Sequence, residues 1–181
     1  MIRPLDLLLQ RQPPVVVTPG LHRATGLWAQ AEGVVRPFVR VDRLVEGRAG
    51  FEALMFHEAL HVHERHALVG LVLLCLGLFA ATVAFALGEY LSFMVCPAAG
   101  ILAWILWRRE QEVRADAFAL VACATTAADP AKGLREFSAF VLLHEHPTAR
   151  FWRWCYGRNP AHRVERAVAR AGRMRWAGVS S

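Results

Sequence analysis

The chain sets one long apolar block between stretches punctuated by charge, proline and glycine. From Ala67 to Trp107 the only formal charge is Glu89, and Gly88-Glu89-Tyr90 divides the block into Ala67–Leu87 and Leu91–Trp107. As helices these run on the order of 32 Å and 26 Å, against a bilayer hydrocarbon core of about 30 Å. Neither half carries the polar face of a helix on a soluble surface. Pro97 and Gly100 in the second half are residues that membrane helices tolerate. The pattern predicts a transmembrane hairpin over 67–107, with a buried helical pair in a soluble core as the alternative. No signal peptide is visible ahead of it, so an internal pair is expected to insert. His63, Arg65 and His66 precede the hairpin, and Arg108 and Arg109 follow it. The positive-inside rule then places both flanking segments in the cytoplasm.

The flanks read as short elements. Residues 1–20 form an irregular N-terminal segment broken by Pro4, Pro13, Pro14, Pro19 and Gly20, with room for a short strand at Val15–Val17. Leu21–Glu32 predicts a short helix. Val34–Val41, β-branched and aromatic, predicts a strand, and Pro37 inside it argues for an edge position. Gly47–Gly50 reads as a turn. Phe51–His66 reads as a helix running straight into the hairpin, and Arg108–Thr125 as a helix continuing out of it. Asp129-Pro130 is a helix start that carries to about Leu143. His146-Pro147 and Asn159-Pro160 start two more, the last running toward Met174. The expected architecture is mainly α with a small β-sheet. Segments 21–66 and 108–181 would form one cytoplasmic domain, interrupted by the hairpin.

Composition changes little in that picture. The 55% hydrophobic and 20% charged residues lean away from an ordinary soluble domain. The excess sits in the hairpin, because the rest of the chain is roughly one quarter charged, an ordinary soluble value. Disorder and low-complexity classes are excluded. The four cysteines, Cys75, Cys96, Cys123 and Cys155, have no framework spacing and read as reduced packing residues. The net charge of +6 is concentrated late. The Arg-rich stretch from Arg150 onward suits either anionic lipid headgroups or a solvated helix face. No recognised nucleic-acid motif accompanies it, and nucleic acid is not an expected partner.

The chemistry lies at His57-Glu58-Ala59-Leu60-His61, an H-E-x-x-H on a segment already read as helix. Imidazoles at i and i+4 share one face and can hold one Zn²⁺, with Glu58 placed to take a proton from water. A catalytic zinc needs a third protein ligand. His63 and His66 are poorly placed; His63 is two residues from His61 and faces away. Glu112 and Asp116, four apart on the helix after the hairpin, are better placed: one carboxylate can ligate, and the other can hold a ligand histidine through its second ring nitrogen. Glu110 competes but lacks an acid four residues on.

These parts in this order, H-E-x-x-H, an apolar two-helix hairpin and then E-x-x-x-D within E-V-R-A-D-A-F-A, resemble the HtpX and CaaX-prenyl protease group of integral-membrane zinc metallopeptidases, which are gluzincins. The resemblance covers roughly residues 30 to 172. It implies a gluzincin-like domain binding one Zn²⁺ through His57, His61 and Glu112. Glu58 would be the general base, and Asp116 the partner of a zinc-bound histidine. It also implies that the strand before the active-site helix, expected within Val34–Val41, offers its edge to an extended substrate. Unlike many members, the chain has no further membrane helices before the motif and resembles the small ones. Where the group often carries His-Pro followed by Glu-Arg, this chain has Asn159-Pro160 and Glu165-Arg166. Arg166 and His162, or His146, are therefore the candidates to stabilise the oxyanion.

The expected function is a zinc-dependent endopeptidase of the cell membrane. Its peptidase domain would lie on the cytoplasmic side and its substrates would be unfolded or membrane polypeptides. Three alternatives stand beside it: a non-catalytic metal-binding sensor or adaptor, an intramembrane zinc protease, and a latent peptidase blocked by residues 1–20.

Overall fold

The computed structural model describes residues 13–21, 23, 27–127, 129–143 and 160–173. The described elements are strands β1 (Val15–Thr18), β2 (Ala29–Glu32) and β3 (Phe38–Asp42), a 3-10 turn at Arg43–Val45, and five helices. The helices are α1 (Phe51–His63), α2 (His66–Ala86), α3 (Tyr90–Thr126), α4 (Pro130–Leu143) and α5 (Pro160–Arg173). The chain is thus mainly helical with a small sheet, as its pattern predicts. The expected helix start at His146-Pro147 lies outside the described residues.

The sheet corrects two expectations. Its order is β1-β3-β2, with β3 parallel to β1 and antiparallel to β2. The strand expected on an edge is therefore the central one. Pro37 immediately precedes it and removes no ladder hydrogen bond, which is why proline is compatible with a central strand here. The last four residues of the expected helix Leu21–Glu32 form β2 instead. Ala, Gln and Glu favour helix locally, but pairing from Ala29↔Val41 to Glu32↔Phe38 overrides that preference.

Behind the sheet, Val39, Val41 and Val45 pack with Ala53 and Leu54 of α1, Ala119 and Cys123 of α3, and Phe137 and Phe140 of α4. Gly50 locks α1 onto α4. Its φ of 87° is left-handed, and a Cβ there would stand 2.4 Å from the Phe140 backbone nitrogen. Its own N–H donates to Glu136 at 2.6 Å. Asp129 caps α4 as expected, accepting from the Ala131 N–H at 2.9 Å.

Helices α2 and α3 form an antiparallel pair that touches at Gly77 and Gly100, where a Cβ on Gly77 would lie 3.3 Å from the other backbone. Both are long and apolar enough to cross a membrane. Their outer side chains are uncovered, with Phe79 68% and Leu91 78% exposed. Two details differ from the expected run of helix. Helix α1 ends at His63, and Arg65, at φ 52°, separates it from α2. Helix α3 continues unbroken through Pro97 from the apolar pair into the core.

Candidate metal centre

Helix α1 carries His57, Glu58 and His61 on its inner side, and all three are buried. The buried half of α3 brings Glu112 opposite them. One donor atom from each of His57, His61 and Glu112 lies within 4.8 Å of the others. The two Nε2 atoms are 3.1 Å apart. Glu112 Oε2 stands 3.1 Å from that of His57 and 3.4 Å from that of His61.

Each of these groups is also held from behind. The Nδ1 of His57 lies 3.0 Å from Asp116 Oδ1. Asp116 in turn accepts from Arg163 Nε at 2.6 Å and Nη2 at 2.7 Å. The Nδ1 of His61 contacts Nδ1 of His66, whose Nε2 is 2.8 Å from Glu64, and Glu64 accepts from Arg114 at 2.6 Å. The second oxygen of Glu112 lies 3.5 Å from Arg108 Nη2.

Burial disfavours a charged His57, but the Asp116 and Glu112 carboxylates outweigh it and push the imidazole up to about 9. Burial alone would raise Glu112, yet the His61 and His57 rings hold its carboxyl well below the usual range. Two imidazole nitrogens and a carboxylate oxygen, converging from buried positions, are a donor set suited to Zn²⁺. The residues present fit the metal that the sequence pattern implies.

A cleft of about 340 Å³ opens over this cluster, lined by Glu58, His57, His61 and Glu112, by Ala29–Gly33 of the β2 edge, and by Ala67, Trp104 and Arg108. Glu58 Oε2 accepts from the Ala31 backbone N–H at 2.7 Å, which ties the carboxylate to the outer rim of β2. Arg166 and His162 do not line it. Arg166 lines a separate cavity with Arg109 and Glu110, and His162 is exposed. His146 lies outside the described residues. Arg163 and His66 are the participants that sequence reasoning missed. Arg163 joins Asp116 across 47 positions with no periodic signal to announce it. His66 is displaced from helical register by Arg65.

Two histidines one turn apart, a carboxylate from a second helix and a glutamate at the rim of a cleft define the class: a metallopeptidase-type centre of the H-E-x-x-H kind. The family model of Peptidase family M48 matches residues 14–152, most of the chain, and the chain belongs to that family of metallopeptidases. No curated protein and no solved structure matches it.

Proposed function

We propose that the chain is a membrane-anchored zinc endopeptidase, in which His57, His61 and Glu112 hold the metal and Glu58 is the general base. The convergence of those three donors beneath a cleft that also contains Glu58 carries this reading. Zinc bound there supplies Lewis acidity, polarising a carbonyl and lowering the pKa of water. The chain's own residues do the rest. Glu58 takes the proton of the attacking water and delivers it to the leaving amine. Asp116 fixes the tautomer and direction of the His57 ring, leaving Nε2 for the metal.

The edge that receives the substrate is β2 rather than the Val34–Val41 stretch. In the β2–β3 ladder Trp28 accepts from Asp42. By alternation, Ala29 and Ala31 direct their backbone groups away from β3, toward the cleft. The Ala31 N–H is already given to Glu58, so an extended peptide pairing there takes the Ala29 groups and passes Glu58 and the metal donors. Arg108 and Arg65 line the cleft and Arg166 does not, so these two guanidinium groups are better placed than Arg166 to meet a developing oxyanion.

The uncovered apolar sides of α2 and α3 support a bilayer hairpin. The basic residues at both its ends support a cytoplasmic site close to the membrane. The test is zinc content and casein cleavage by the purified full chain in detergent. One bound zinc with cleavage is expected. Zinc without cleavage supports the sensor or adaptor reading instead, and no zinc overturns the site.

A further inference from the structure

His66 has no part in the chemistry above, yet it is buried against the site. Residues at i and i+5 on a continuous helix lie about 140° apart, so His66 would face away from His61. Arg65 changes this. Its left-handed backbone, φ 52°, ends α1 and restarts the chain as α2, which turns His66 back onto the His61 ring. A non-glycine residue in that region is uncommon and costs conformational energy, and such outliers gather at functional sites.

The contacts are directional. His61 presents Nε2 to His57 and Glu112, so its Nδ1, the atom that meets His66, is on the far side of the ring from the metal donors. His66 is therefore outside the donor set, against the far side of the His61 ring and at the margin of the cleft. With Nε2 of His61 given to a metal, its Nδ1 carries the proton and donates to Nδ1 of His66. That leaves the His66 proton on Nε2, where Glu64 accepts it at 2.8 Å. Arg114 holds Glu64 at 2.6 Å. The Gln111 amide packs into the same cluster, its end atoms 3.2 Å from Glu64 Oε2, 3.0 Å from His66 Nε2 and 3.1 Å from Trp107 Nε1. The Trp107 ring stands edge-on to His66 at 5.5 Å.

We propose that His66 is a positioning residue for metal binding: an imidazole, held from its far side by Glu64 and the Arg114 beyond it, that orients His61 through its Nδ1. It is the counterpart of the Asp116–Arg163 arm behind His57. Because His66 opens α2 and Trp107 lies on α3, the inference ties the orientation of a metal ligand to the seating of the apolar helix pair. It rests on reading the cluster as a zinc centre.

The experiment is the rate at which the zinc-loaded full chain loses its metal to a chromogenic chelator. His66→Phe is expected to accelerate loss about 10–100-fold, the usual effect of removing an outer hydrogen-bond partner. His66→Asn, whose amide oxygen can accept the His61 proton, restores most of the retention; a purely space-filling role predicts the reverse order. Glu64→Ala frees the His66 tautomer and accelerates loss about tenfold. His63→Ala, altering an exposed neighbour, leaves the rate unchanged. Wild-type release rates in His66→Phe overturn the proposal. If that variant does not fold, a wild-type rate in Glu64→Ala does so. A wild-type chain that takes up no zinc overturns the zinc reading and this inference together. Normal uptake with unaltered release in the variants overturns this inference alone.

Discussion

Arg163 grips both oxygens of Asp116, and the same carboxylate stands 3.0 Å from the Nδ1 of His57. A residue near the end of the described chain thus braces a histidine of the H-E-x-x-H motif through one buried acid. Burial alone would raise the Asp116 carboxyl, but Arg163, and then His57, overcome it and hold the group down to about 2. Removing the guanidinium strands a buried charge, and such losses cost about 3–5 kcal/mol. Arg163→Ala should therefore unfold at markedly lower denaturant concentration, and Arg163→Lys, which cannot supply the two-pronged contact, should recover only part.

The same arm sets the response to acid. A carboxyl depressed in the folded state contributes stability above its unfolded value near 4 and loses it as pH falls toward the folded value. For the wild type the Asp116 contribution disappears between about pH 4 and pH 2. In Arg163→Gln the folded value rises, and the acid limb of the unfolding curve should begin at higher pH. Identical acid limbs in the two proteins would contradict the pairing.

At alkaline pH the relevant group is Cys123. Burial first, with Glu52 and Glu136 adding to it, pushes its thiol up to about 12. The unfolded chain ionises this thiol near pH 8.5, so stability should fall as pH rises from about 9 toward 12. Cys123→Ala should flatten that decline while losing some packing. Native Cys123 should also resist alkylation at pH 8 and react once the chain is denatured, a contrast that mass spectrometry of labelled peptides resolves.

Glu58→Gln separates metal binding from chemistry. The amide still accepts from Ala31 but takes no proton, so zinc content should match the wild type while hydrolysis falls by about 10²–10⁴-fold. Full hydrolysis in this variant would remove Glu58 from the mechanism.

Glu112→Ala tests the donor furthest from the motif in sequence. Losing a ligand should weaken zinc by more than the roughly 10–100-fold typical of an outer partner. Equilibrium competition with a metal buffer measures this directly. Unchanged affinity would mean that the third ligand lies elsewhere.

The cluster was legible where its parts are local. Spacing alone put His57 and His61 on one face, and Glu112 and Asp116 on another, because helical period converts position into direction. The apolar pair was legible for the same reason of composition over length, and Asp129-Pro130 marked a helix start by its own chemistry. Contacts decided the rest. Ala29–Glu32 has helical residues but finds a strand partner in β3. Pro37 lies one residue outside the ladder, which ends at the Glu32↔Phe38 pair. His66 looked misdirected because nothing in the letters announces a left-handed Arg65. Arg163 was one arginine among many, and only the packing of α5 against α3 selects it over Arg166.

The unbroken run of α3 has a consequence for how the protein comes into being. Its first half pairs with α2, and its second half carries Glu112 and Asp116. A nascent chain that has made His57 and His61 has only two of the three donors, and it acquires the third only after the whole apolar pair has been synthesised. Order of synthesis therefore staggers the site: the complete cluster can arise only once both apolar helices have been made.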